Sequence, residues 1–205
     1  MTLTLIIIAL TAGFSILAFS RREILYKYQF NAYQILKRKQ YLRLLLHGFL
    51  HANWPHLLVN MIVLYSFGRS LEMHFLHVFG PLASLYFSVF YLSAILVAPL
   101  YSLIKNRNNS YYNAVGASGA VSAIVFAAIF FDPWNKIYFF GLLPVPGIIF
   151  AVLYLVYSWQ MSKKPGDNIA HDAHFFGALY GLIFPILLKP QLLSFFVDQL
   201  LSVIQ

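Results

Sequence analysis

Six stretches of the chain carry no charged residue: positions 1–20, 44–68, 80–104, 108–131, 137–162 and 173–188. Five of them reach at least 20 residues, enough for a helix to cross about 30 Å of hydrocarbon at about 1.5 Å per residue. The sixth is shorter and is predicted to start a turn earlier, near Ala170. The pattern predicts an all-α membrane helix bundle with spans at about 2–20, 55–73, 80–104, 116–131, 137–161 and 170–188. The second span is expected to open near Trp54-Pro55, since proline suits the first turn of a helix. Pro99, Pro144 and Pro146 fall inside the third and fifth spans, where buried membrane helices tolerate such breaks.

The connections are unequal. The first, 21–53, exceeds 30 residues, is rich in Arg, Lys and Tyr, and then turns apolar. A connection of that length in a compact domain is functional or partly embedded. Towards the end, Gln191, Ser194, Asp198, Ser202 and Gln205 share one helical face of an otherwise apolar segment. That segment, about 191–204, is too short to span and reads as an interfacial helix. The opening segment precedes Arg21 and Arg22, the reverse of a secretory signal, and is expected to be a retained transmembrane helix.

Composition sharpens this. Of 205 residues, 60% are hydrophobic and only 10% are charged, against about 25% charged in soluble domains. The length suits a single domain spanning 1–205. With no cysteine, disulfides, thiol nucleophiles and thiolate metal sites are excluded. The net charge of +8 is spread in short segments between apolar runs, as expected of residues meeting anionic lipid rather than nucleic acid.

Polar groups inside membrane helices are costly and are functional candidates. Here they gather at one level. His56 and Asn60 lie in the first turns of the second span, with His47 and His51 just before it. Ser118 starts the fourth span, and His171 and His174 start the sixth. Alternate spans run parallel, so all these groups fall in one leaflet and can share one pocket. Ser118 with His174 supplies a nucleophile and a general base. Ser118 sits in Gly116-Ala117-Ser118-Gly119, near unpaired helix N–H groups and a positive dipole end. His56 and Asn60, four residues apart, can donate to the oxyanion of a peptide carbonyl under attack. Alone, Gly-x-Ser-Gly is ordinarily helix packing, and Gly177-x-x-x-Gly181 reads the same way, against Gly119, Ala123 and Ala127. The gathering of groups in one leaflet favours catalysis. Asp172, two residues from His174, points elsewhere, so a dyad rather than a triad is expected. His47, His51 and His56 lack a nearby carboxylate and the His-Glu-x-x-His spacing, so no metal is expected there.

At these residues the chain resembles the rhomboid family of intramembrane serine proteases, in its bacterial six-helix form. The segment from His47 through His51 and His56 to Asn60 is similar to the family's second-helix motif. Gly116-Ala117-Ser118-Gly119 is similar to its nucleophile motif, and Ala173-His174-Phe175-Phe176-Gly177 to its base motif. Phe67-Gly68 with Leu71-Glu72, and Arg43 in the first connection, extend the likeness. The resemblance implies that Ser118 attacks, His174 is the base, the Ser118 N–H, His56 and Asn60 hold the oxyanion, and no cofactor or metal is needed. It implies single-pass membrane proteins as substrates, an inner-membrane location and an active site towards the outer face. The basic residues argue the reverse sidedness: the first, third and fifth connections hold 7, 2 and 2 of the 14 Lys and Arg. Two positions depart from the family. Ser122 stands where some members have a Tyr that packs on the base, and Leu42 stands where Trp is common before the Arg. The alternatives are a noncatalytic rhomboid-like protein that binds membrane helices, and a small transporter or channel. The latter lacks support from an inverted repeat or intramembrane carboxylates.

Overall fold

The computed structural model describes residues 2–139, 142–164 and 169–202. Its centre is α8 (Ser118–Phe131), apolar on every side and buried along nearly its whole length. A helix apolar all round must be enclosed by others. Here α5 (Trp54–Phe79), α6 (Ala83–Val97), α9 (Gly147–Met161) and α10 (His171–Leu188) surround it, and α1 (Leu3–Ser20) packs outside on α5 and α6. Outward faces of α5 and α9 carry exposed Leu58, Val59, Ile62, Val152 and Leu153. This is a membrane protein: α1, α10 and the stretch Trp54–Lys105 are long and apolar enough to cross a bilayer, and α8 and α9 are shorter apolar helices.

Local chemistry sets the helix ends. Asn53 caps α5, its Oδ1 accepting from the His56 N–H at 2.9 Å, with Pro55 in the first turn. The third apolar run is broken at Ala98-Pro99 into α6 and α7 (Leu100–Lys105). Gly116 takes φ +130°, which ends the strand-like approach and lets α8 begin at Ser118.

The fifth stretch differs from the expectation of one helix over 137–161. Residues Lys136–Phe139 (β1) and Leu143–Pro146 (β2) pair antiparallel, with Ile137 opposite Val145 and Tyr138 opposite Pro144, and α9 begins only at Gly147. Pro144 and Pro146, two apart, cannot both occupy a helix interior, and the β-branched and aromatic residues around them favour strand. The C-terminal segment forms α11 (Leu192–Leu201) across the end of α8, with Phe196 stacked on Phe130 and the Trp134 Nε1–H donating to the Gln199 carbonyl at 3.1 Å. Gln205, placed on its polar face, lies outside the described residues.

The first connection folds as α2 (Arg22–Tyr28), α3 (Ala32–Lys37) and α4 (Leu42–Leu46). Arg43 holds it together, Nη1 donating to the Tyr26 and Gln29 carbonyls at 2.9 Å each. Phe30 and Ala114 exchange backbone hydrogen bonds of 2.8 and 3.1 Å, and the Gly116 N–H donates to the His47 carbonyl at 3.1 Å. The first connection is thereby stitched to the segment that leads into Ser118.

Candidate active site

Ser118 is the first residue of α8, and the cap position before it is Ala117, whose side chain has no acceptor. The N–H groups of that first turn are therefore not capped by a side chain and remain donors beside the serine hydroxyl. His174, in the first turn of α10, places Nε2 2.7 Å from the Ser118 Oγ. The close crossing of α8 and α10 brings them together. A Cβ at Gly177 would collide with the Gly119 carbonyl oxygen, and one at Gly181 with the Ala123 carbonyl oxygen. The small-residue faces expected from the sequence are the faces that meet.

His56 reaches the same place from α5. A Cβ at Gly116 would lie 2.8 Å from His56 Cε1 and 2.9 Å from its Nε2. The Nε2 edge of His56 thus lies against the backbone two residues before Ser118. Asn60 is buried on the same helix face, and one of its two amide hydrogens goes to the His56 carbonyl at 2.9 Å. Ser118, His174, His56 and Asn60 all line one cleft of about 730 Å³. Gln29, Asn53 and Asn113 also line it, as do Val63, Val125, Phe126, Phe150 and Tyr154. The cleft therefore runs between α5 and α9.

The other sequence candidates fall around this centre. His51 is fully buried beside His56, ring centroids 4.9 Å apart. His47 is buried and its Nδ1 lies 3.0 Å from the Arg43 carbonyl. Burial pushes both imidazoles down, His47 to about 4 and His51 to about 3. Asp172 accepts from the Ala173 N–H at 2.9 Å and lines a different cavity, with Lys105, Tyr112 and Lys164. Among the described residues no group of three or more His, Cys, Asp or Glu is placed to hold a metal ion.

Two contributors, Tyr154 and Ser15, were not singled out from sequence, while His171 was expected among the polar groups that start the sixth span. At Ser122, in place of a tyrosine on α8, a tyrosine arrives from α9: Ser122 Oγ and Tyr154 Oη are 2.6 Å apart. His171 stands edge-on to His174 at 5.9 Å, backed by Tyr157 at 5.7 Å. Ser15, from α1, contacts His51. Its signal was legible: Thr4, Thr11 and Ser15 repeat at helical spacing in an otherwise apolar segment, and all three are fully buried.

The fold and the site define a helical membrane protein with a hydrogen-bonded serine and histidine beside a cleft between helices. The rhomboid domain model matches residues 38–191. The chain belongs to the rhomboid family. It is 32% identical over 151 residues to RHOMBOID-like protein 12, mitochondrial, of Arabidopsis thaliana, covering 68% of this chain and 44% of that protein. It is 36% identical over 100 residues to Rhomboid-like protein 14, mitochondrial, of the same plant, covering 46% of this chain and 29% of that one. The chain thus matches less than half the length of either relative.

Proposed function

We propose that this chain is an intramembrane serine endopeptidase acting through Ser118 and His174. The observation that carries the reading is the 2.7 Å contact of Ser118 Oγ with His174 Nε2 in a cleft between helices. His174 accepts the hydroxyl proton as Ser118 attacks a peptide carbonyl, so its Nε2 starts unprotonated and its Nδ1 carries the hydrogen. The oxyanion is held by the Ser118 N–H, the His56 imidazole and the remaining Asn60 amide hydrogen. His174 then gives its proton to the leaving amine. Water, activated by the same imidazole, hydrolyses the acyl-serine and regenerates Ser118. No metal or cofactor takes part.

The bundle is read as six spans, α1, α5, α6 with α7, α8, α9 and α10, with the first connection partly embedded and α11 lying at the interface. At 14 residues, α8 is only about 21 Å long, short of the roughly 30 Å slab. A short central helix sets Ser118 below the membrane surface, and the polar mouth of the cleft admits water to it. Substrates are single-pass proteins whose segment unwinds there, admitted between α5 and α9. The site is assigned to the outer face of an inner membrane; a reporter fused after Gln205 that worked only outside the cytoplasm would reverse this.

The test is cleavage of a labelled transmembrane substrate by purified protein in detergent, alongside Ser118→Ala and His174→Ala. Wild type is expected to cleave and both variants to fall to background. A fluorophosphonate is expected to label wild type and spare Ser118→Ala. Cleavage by wild type no faster than by either variant, over a panel of substrates, leaves the noncatalytic helix-binding reading in its place.

A further inference from the structure

We propose that Ser15 of α1 is a positioning residue for the oxyanion side of this site, acting through His51 on His56. The inference rests on the protease reading above. No residue of α1 lines the cleft, yet α1 reaches the site through one buried side chain.

Ser15 Oγ donates to the Phe49 carbonyl at 2.9 Å and lies 2.9 Å from His51 Nδ1. A hydroxyl has one hydrogen. With that hydrogen on the Phe49 carbonyl, Ser15 Oγ can only accept from His51. His51 therefore carries its proton on Nδ1, and its Nε2 holds a lone pair. That Nε2 is buried and makes no hydrogen bond among the described residues. Burial keeps the ring neutral, so Ser15 alone selects the tautomer and the rotation of the imidazole.

The His51 ring then forms one wall of the His56 site, 4.9 Å away and inclined at 75°. Gly116 forms the other, where a Cβ would come within 2.8 Å of the His56 ring. His56 is confined between a ring fixed by Ser15 and a backbone with no side chain. Oxyanion donors act only when aimed in advance at the developing charge. Removing the Ser15 hydroxyl frees His51 to change tautomer or rotate, and one wall of the His56 site loosens. Phe49 also loses the bond that fixes its carbonyl two residues before His51.

The experiment compares full-length wild type, Ser15→Ala and Ser15→Thr in detergent, with Ser118→Ala as the inactive reference. Ser15→Ala is expected to lower kcat by about tenfold with KM within about twofold, the signature of a misplaced group rather than of weaker binding. Fluorophosphonate labelling of Ser118 slows in parallel, because the phosphonyl oxygen occupies the oxyanion position. Ser15→Thr keeps the hydroxyl and is expected to recover kcat to within about threefold of wild type. Nitrogen-15 NMR of labelled histidines is expected to find His51 protonated on Nδ1 in wild type. That measurement stands whether or not the protein cleaves and whether or not Ser15→Ala folds. His51 protonated on Nε2 overturns the inference. So does a Ser15→Ala variant with wild-type kcat, or one whose defect is in KM or is shared by Ser15→Thr. If wild type cleaves no faster than Ser118→Ala, the protease reading falls instead, and the tautomer still decides the link from Ser15 to His51.

Discussion

Gly177 of α10 lies directly on the Gly119 carbonyl of α8, leaving no room for a Cβ. The obstacle is backbone, which cannot swing aside as a side chain can. Gly119 follows Ser118, and Gly177 lies one turn beyond His174, so the same crossing sets the Ser118–His174 distance. Gly177→Ala is expected to force the helices apart at a cost of about 1–3 kcal/mol. Cleavage is expected to fall by about 100-fold. Gly13→Ala, where a Cβ meets nothing within 4 Å, is the control and is expected to leave cleavage unchanged. Thermal unfolding and turnover of the two variants check this, and equal activity in both would sink it.

Glu72 of α5 binds the start of α1. It accepts from the Leu3 N–H at 2.6 Å, the Thr4 N–H at 3.3 Å and the Thr4 hydroxyl at 2.7 Å. A carboxylate at a helix N-terminus meets both unpaired N–H groups and the positive end of the dipole. Thr4 is fully buried against Gly68, where a Cβ would lie 2.8 Å from its Oγ1. Glu72→Ala is expected to destabilise the fold by about 1–3 kcal/mol by stranding these donors. Glu72→Gln keeps one acceptor oxygen and is expected to lose less. Unfolding in detergent measures both, and a Glu72→Gln variant as damaged as Glu72→Ala would contradict the hydrogen-bond account.

How much of this was legible depends on the kind of signal. Ser118, His174, His56 and Asn60 were placed in one pocket because parallel spans put their first turns at the same level. Gly177 and Gly181 named their partners by spacing of four. The hairpin of β1 and β2 was hidden because an uncharged apolar run looks alike as helix or strand. Only Pro144 and Pro146, two residues apart, mark it, and buried membrane helices tolerate proline as well. Tyr154 and Ser15 were missed for another reason. The burial of Ser15 is legible from its spacing with Thr4 and Thr11, but the partners of Tyr154 and Ser15, Ser122 and His51, are distant in sequence, and a single chain offers no pattern that pairs such positions.

The Ser122–Tyr154 hydrogen bond joins α8 to α9 one turn beyond Ser118. It lies among Phe126, Phe150 and other apolar groups, with the Ser158 hydroxyl also beside Tyr154. Hydrogen bonds between membrane helices average about 0.6 kcal/mol in double-mutant cycles and reach about 1.7. Ser122→Ala and Tyr154→Phe are each expected to lower stability by roughly this amount. The double variant should cost little more than either alone. Strict additivity in the cycle would mean that the two hydroxyls are not coupled.

The buried histidines make stability fall in acid. His47 and His51 titrate at about 4 and about 3 in the folded chain, because burial penalises the charged ring. In the unfolded chain they titrate near 6.5. Above that value both states hold the rings neutral, and the full stability is present. As pH falls below about 6.5 the unfolded chain binds protons that the folded chain refuses, so the fold weakens. Each histidine contributes a slope of about 1.4 kcal/mol per pH unit until its folded value is reached. Thermal midpoints in detergent are therefore expected to drop steadily from pH 7 to pH 4.5. Since His47 packs on Phe30, ring centroids 5.4 Å apart, a His47→Phe variant compared at each pH should show a shallower decline whatever its absolute midpoint. A wild-type midpoint that stays flat across this range would show that these rings are not held neutral by burial.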